Sequence, residues 1–124
     1  MVELNHTIVK SRDKKSSAEF LCRILGLEPP KPFGHFLTVT LDNGVSLDYD
    51  DAEVVTPQHY AFLVSDEAFD PILARVKAEH IPFWADPAHR RPQEINTRDH
   101  GRGFYFRDPD GHQLEVLTRP YGSG

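Results

Sequence analysis

Residues Gly103–Leu117 read GFYFRDPDGHQLEVL, and the folding of this stretch decides the rest. Asp108-Pro109-Asp110-Gly111 is a turn: proline fixes one φ angle and glycine supplies the positive φ that a compact reversal needs. The flanking arms are rich in aromatic and aliphatic residues and they alternate, which predicts two strands. Phe104 and Phe106 point one way, Tyr105 and Arg107 the other. On the second arm Leu114 and Val116 oppose Gln113, Glu115 and Leu117. A hairpin with one apolar face normally turns its other face to water. Here that other face gathers a carboxylate, an amide, a phenol and a guanidinium. Glu115 lies mid-strand, away from the turn where a merely solvating acid belongs. It reads as one ligand of a metal site.

The remaining chain bounds what such a site can serve. With 124 residues, the sequence fits a single domain, 1–124, with a modest core. Its 39% hydrophobic and 27% charged residues are ordinary for a soluble globular protein. No run has the length of a membrane span, and Met1-Val2-Glu3 does not begin a signal peptide, so a cytoplasmic protein with no membrane partner is expected. The single cysteine, Cys22, excludes a disulfide framework and cysteine-based zinc sites. It falls in a helical pattern and is expected to be packed and unreactive. A net charge of −5 argues against nucleic acid as partner. The charge is uneven: residues 42–53 hold five acids and no base, and residues 90–107 hold five arginines against Glu94 and Asp99. The arginine-rich segment is either a solvated loop or an attractor of a small anion.

In chain order, Leu4–Lys10 reads as a strand with Leu4, His6 and Ile8 on one face. Asp13 is an N-cap for a helix to Leu25, with Phe20, Leu21, Ile24 and Leu25 as its apolar stripe and Gly26 as its stop. Pro29, Pro30 and Pro32 prevent continuation, and a short extended piece is expected there. His35–Leu41 is a strand, Asp42-Asn43-Gly44 a hairpin turn, and Val45–Asp50 the returning strand with Ser46, Asp48 and Asp50 on its polar face. After a connector, Asp51–Pro57, the order begins again. His59–Val64 is a strand with His59, Ala61 and Leu63 on one face. A helix spans Asp66–Glu79 with Phe69, Ile72, Leu73 and Val76 as its stripe. Pro71 favours a later start, because proline is tolerated best in a first turn. Ile81–Ala85 reads as a strand and Asp86–Arg102 as a long polar loop of the kind that is either functional or mobile. The opening hairpin completes the second half.

The pattern is strand, helix, three strands, twice over, with modules at 1–53 and 58–124. Asn43-Gly44-Val45-Ser46-Leu47-Asp48 lines up with Asp110-Gly111-His112-Gln113-Leu114-Glu115, and His6 lines up with His59. The expected fold is α+β: two βαβββ modules forming a curved mixed sheet around a central cavity. Superposing the halves brings His6, Asp48, His59 and Glu115 together. Two imidazoles and a carboxylate on one side of a metal leave positions open for water and substrate, an arrangement suited to iron(II), manganese or zinc. A lone strand histidine is more often packed or at the surface than a ligand; here two of the seven fall at equivalent points of a repeat with Glu115 facing them. Asp48 also reads as an exposed acid of an acidic hairpin, and Tyr105 as a rim residue capping the core. His35, His80, His89, His100 and His112 read as packed or surface residues, with His89 and His100, in the polar loop, as the two that a substrate could approach.

This architecture, with His6, His59 and Glu115 so placed, resembles the vicinal oxygen chelate superfamily, which contains glyoxalase I, extradiol dioxygenases, fosfomycin-resistance enzymes and bleomycin-binding proteins. The resemblance covers nearly the whole chain and is most specific in LNHTIV (4–9), QHYAFLV (58–64) and FYFRDPDGHQLEVL (104–117). It implies a divalent metal (iron, manganese, zinc or nickel) held by His6, His59 and Glu115. Asp48 would be a fourth ligand or a partner of a metal-bound water. It implies a small oxygen-rich substrate contacted by Tyr105, with Gln113 on the same face and Arg98, Arg102 or Arg107 orienting an anionic group. It also implies a homodimer. Bleomycin-binding members lack the metal ligands that match here, so a non-catalytic drug- or metabolite-binding protein is the rival reading. A fosfomycin-type thiol transferase is a third. Those enzymes share the FYF–DPDGH–LE pattern, but their potassium-binding loop has no counterpart in Glu94–Arg102.

Overall fold

The computed structural model describes all 124 residues. The chain divides into two compact units, Met1–Thr56 and Pro57–Gly124. Each is a four-stranded mixed sheet with one long helix, so the fold is α+β as expected.

The first unit runs β1 (His6–Ser11), α1 (Lys14–Leu25), β2 (Lys31–Phe33), β3 (Phe36–Thr40) and β4 (Ser46–Asp51). Its strand order is β1-β4-β3-β2, with β1 parallel to β4 and the other pairs antiparallel. The Asp13 carboxylate accepts the N–H groups of Lys15 and Ser16 at 3.1 and 3.2 Å, which satisfies donors that the first helical turn leaves free. Gly26 closes α1 at φ 72°, where a side chain would be strained. Ala18, Leu21, Cys22 and Ile24 are buried on α1, and Val9, Val39, Leu47 and Tyr49 on the strands it covers. Burial pushes the Cys22 thiol up to about 11, so it stays protonated and unreactive. Because β-residues alternate, the face turned from α1 carries His6, Ile8, Thr38, Thr40, Ser46 and Asp48.

The second unit runs β5 (His59–Leu63), α2 (Asp66–Ala78), β6 (Phe83–Trp84), β7 (Gly103–Arg107) and β8 (Gln113–Leu117). Its order, β5-β8-β7-β6, repeats the first, with β5 parallel to β8. Helix α2 starts at Asp66 despite Pro71, earlier than the proline suggests. Ser65 fixes that start by accepting the Ala68 N–H at 3.1 Å, and Pro71, inside the helix, forgoes the bond its nitrogen would have donated. Ser65→Ala is therefore expected to destabilise the protein by about 1 kcal/mol. A lower denaturant midpoint at an unchanged m-value would register it.

Strand β6 covers only Phe83 and Trp84 of the expected Ile81–Ala85. Beyond it the backbone pairs with its own loop: the Ala85 N–H donates to Arg91 and the Gln93 N–H to Phe83. The Asp86 carboxylate gathers the N–H groups of Arg90 and Arg91 at 2.9 and 2.8 Å. The segment expected as a long loop is thus internally bonded. In the closing hairpin Gly111 takes φ 85°, and Asp108 Oδ1 accepts the N–H groups of Asp110 and His112, both at 2.9 Å. His112 is fully buried, and its Nδ1 accepts the Gln58 N–H at 2.9 Å, tying the turn to the entrance of β5.

Candidate metal centre

Register places the polar side chains of the second unit. Ala61 pairs with Glu115, Glu115 with Tyr105 and Tyr105 with Trp84. One step along, His59 pairs with Gln113 and Gln113 with Arg107. Directly paired residues share a face, so His59, Trp84, Tyr105, Arg107, Gln113 and Glu115 all project from the side opposite Phe104 and Phe106.

The second face of a hairpin normally meets water, and at its centre this one does not. Glu115 is 1% exposed and Tyr105 2%. The cover comes from outside the sheet. Tyr121, in the C-terminal tail, donates its hydroxyl to Glu115 Oε2. Tyr105 then donates to the Tyr121 oxygen at 3.0 Å. Arg98 Nη1 donates to both phenols, at 3.1 and 3.3 Å, and its guanidinium lies 5.5 Å from the Tyr121 ring centroid. Burial, and then the bond to Glu115, push the Tyr121 phenol above its usual value; the Tyr105 bond raises Arg98 further. Protons in this chain all run toward Glu115.

His59 completes the centre. Its Nδ1 stands 2.9 Å from the Gln113 carbonyl, so Nδ1 carries the proton and donates it. In the neutral ring Nε2 then keeps its lone pair, yet it faces Glu115 Oε1 at 3.0 Å. Two lone pairs face each other, and only positive charge, a proton or a cation, makes that arrangement stable. Two donors at right angles around a divalent ion, each roughly 2.1 Å from it, stand about 3 Å apart. The carbonyl on the outer nitrogen is the support that metal-binding imidazoles usually have. The donor set and its spacing fit a divalent metal.

In the first unit His6 and Asp48 line one cleft of about 810 Å³ together with Asn5, Thr38, Thr40 and Ser46. His6 Nδ1 is 2.7 Å from Asn5 Oδ1, so this ring too has its outer nitrogen engaged and Nε2 left as the donor. Asp48 is buried and accepts the Thr38 hydroxyl at 2.9 Å, rather than lying exposed in an acidic hairpin. Within the single chain no group of three or more histidine, cysteine or acidic side chains is placed to hold a metal ion. The pair that the structure brings together is His59 and Glu115.

The arginines separate. Arg107 is exposed at the cleft with His59 and Gln113, its guanidinium 5.8 Å from the Trp84 ring centroid. Arg98 belongs to the phenol chain. Arg102, a candidate for orienting substrate, instead points to α2. It bonds Asp70 at 2.7 Å and Asp66 at 3.3 Å, and covers the Phe69 ring at 4.3 Å. Alternation explains this: Arg102 shares parity with Phe104, not with Tyr105. Gln113 is held on both sides, its Oε1 accepting from His89 Nε2 at 2.6 Å and its amide donating to the Pro87 carbonyl at 3.2 Å. His89, read by default as packed or at the surface but open to approach by a substrate, stacks on Trp84 at 3.7 Å and 4° and so joins the site face. Tyr121 was not a candidate at all. It follows the last strand, where no periodicity assigns a direction; an aromatic in a short tail after Pro120 was the only signal.

Comparison with known proteins agrees with this architecture. The structure of Oxidase ChaP-H1 superposes with a TM-score of 0.96 at 60% sequence identity, covering 98% of this chain and 99% of that one. Glutathione transferase FosA of Serratia marcescens is 35% identical over 121 residues, 91% of this chain and 78% of the relative. Metallothiol transferase FosB of Shouchella clausii (strain KSM-K16) is 37% identical over 60 residues, 48% of this chain and 37% of the relative. A family model for the Glyoxalase/Bleomycin resistance protein/Dioxygenase superfamily matches residues 3–116, and the chain belongs to that superfamily.

Proposed function

We propose that the protein is a divalent-metal-dependent enzyme that oxidises a small, oxygen-rich molecule, with His59 and Glu115 as metal ligands and His6, the equivalent imidazole of the first unit's repeat, as a further ligand candidate. The observation that carries this is the buried Glu115 carboxylate facing the Nε2 lone pair of a histidine whose other nitrogen is fixed. The 60% identity to an oxidase over the whole chain favours oxidation over other reactions of the superfamily. A divalent metal held by these residues would supply Lewis acidity to polarise a substrate oxygen. The chain's own residues do the rest. Gln113 holds the His59 ring through its backbone carbonyl while His89 and Pro87 hold the Gln113 side chain. Arg98, Tyr105 and Tyr121 keep a proton on the phenol beside Glu115. Arg107, exposed at the cleft, attracts an anionic group. Asp48, buried beside His6 in one cleft, is a further ligand or holds a metal-bound water. A homodimer and a cytoplasmic location belong to the same reading.

A thiol transfer is the second reading, favoured by the 35% identity to a glutathione transferase. An oxygen electrode separates the two. With iron(II) restored after chelation, an oxygen-rich aromatic or enolic substrate panel is expected to draw down dissolved oxygen. Conversion of fosfomycin to a glutathione adduct, undiminished without oxygen, would reverse the assignment. Binding of small molecules unaffected by metal removal would support the drug-binding rival instead.

A further inference from the structure

We propose that Tyr121 is the positioning residue of Glu115, and that the C-terminal tail acts as a strap that sets this carboxylate for metal. The inference rests on the metal reading above. Glu115 has two oxygens, and the structure treats them differently. Oε2 takes the Tyr121 hydroxyl, which leaves Oε1 as the oxygen facing His59 Nε2 at 3.0 Å. A carboxylate with one oxygen committed to a donor offers the other singly, in a fixed direction. Without that donor the group can rotate about its last bond and present both.

The strap is built rather than incidental. The Gly122 and Gly124 N–H groups donate to the Asp99 carboxylate at 3.1 and 3.3 Å. Arg119 Nη2 donates to the Ser123 carbonyl at 2.9 Å and the Ser123 N–H to Pro120 at 3.2 Å, closing the tail on itself. Asp99 holds φ 55°, and a Cβ added at Gly124 would meet its backbone at 2.4 Å, so the tail lies directly against that residue. Arg98, next in sequence, grips the Tyr121 ring from the same side. One loop therefore anchors the tail by Asp99 and aims its phenol by Arg98. Tyr121 is itself 57% exposed as a residue, although its hydroxyl reaches a carboxylate that is 1% exposed. Packing alone does not account for that placement.

The test uses the whole protein, stripped of metal, with cobalt(II) as the probe. Wild type is expected to bind cobalt with a visible spectrum, and Tyr121→Phe to bind it about 10–100-fold more weakly, as loss of a partner that orients a ligand does. The spectrum should also change, because Glu115 no longer presents one fixed oxygen. Asp99→Asn, which touches no ligand, is expected to shift affinity the same way by a smaller factor. Matching circular dichroism would confirm that both variants fold. If Tyr121→Phe keeps wild-type affinity and spectrum, or binds more tightly, the strap is not a positioning device. If wild type binds no cobalt, and His59→Ala is indistinguishable from it, the metal reading itself fails and the inference falls with it.

Discussion

Glu115→Gln is expected to yield a folded protein that retains almost no metal and is at least as stable as metal-free wild type. The substitution keeps the shape and an oxygen for Tyr121 to bond, and removes only the charge. That charge is what offsets the cation, and losing a ligand should cost more than the roughly 100-fold that loss of a supporting partner does at most. In the metal-free state the same carboxylate is a burden. It is 1% exposed, and its immediate partners are a histidine and a phenol. A buried charge of this kind is costly to desolvate, and the His59 side chain paired with it is half exposed, so removing the carboxylate charge leaves no buried cation unpaired. Metal content by elemental analysis and melting temperature in chelator should therefore move in opposite directions. A Gln variant that retains its metal would remove Glu115 from the ligand set. A loss of metal together with a collapse of the metal-free fold would mean that the carboxylate is structural.

The direction of Glu115 was legible in the sequence and its surroundings were not. Alternation along β7 and β8 has a period of two, so one turn at Gly111 settles which side every residue of the hairpin takes. The same rule, applied one residue earlier, puts Arg102 with Phe104 and on α2. Its place in an arginine-rich run obscured that. Which groups cover a face depends on contacts distant in sequence. The Arg98 and Tyr121 side chains meet Tyr105 and Glu115 across turns that carry no periodic signal. Burial of Glu115 was hidden for that reason, and so was the role of the tail. Likewise the match of His6 to His59 follows from the repeat, while the Nδ1 partners, Asn5 Oδ1 in one case and a backbone carbonyl in the other, require coordinates.

The largest loss of stability is expected from a residue that touches none of this chemistry. Phe104 is fully buried, and its ring centroid lies 5.5 Å from that of Phe69, 5.7 Å from Phe83 and 5.6 Å from Phe106. It thus joins α2, β6 and β7 in one aromatic cluster, with edge-to-face contacts to Phe69 and Phe83. Phe104→Ala removes that hub and leaves a cavity which three rings cannot refill, at a cost of about 3–5 kcal/mol. Against a total stability of roughly 5–15 kcal/mol this is a large fraction, and a fall in melting temperature of roughly 10–20 °C should follow. Phe33, 70% exposed, is the internal comparison: Phe33→Ala is expected to change stability by less than about 0.5 kcal/mol. The effect should reach the site as well. Tyr105 stands between Phe104 and Phe106 on β7, so the rigidity of the Tyr105–Tyr121–Glu115 chain derives from the packing behind it. Phe104→Ala should therefore weaken metal binding under conditions where the variant is still fully folded. Unchanged affinity at that temperature would show that the sheet holds its polar face without the aromatic cluster.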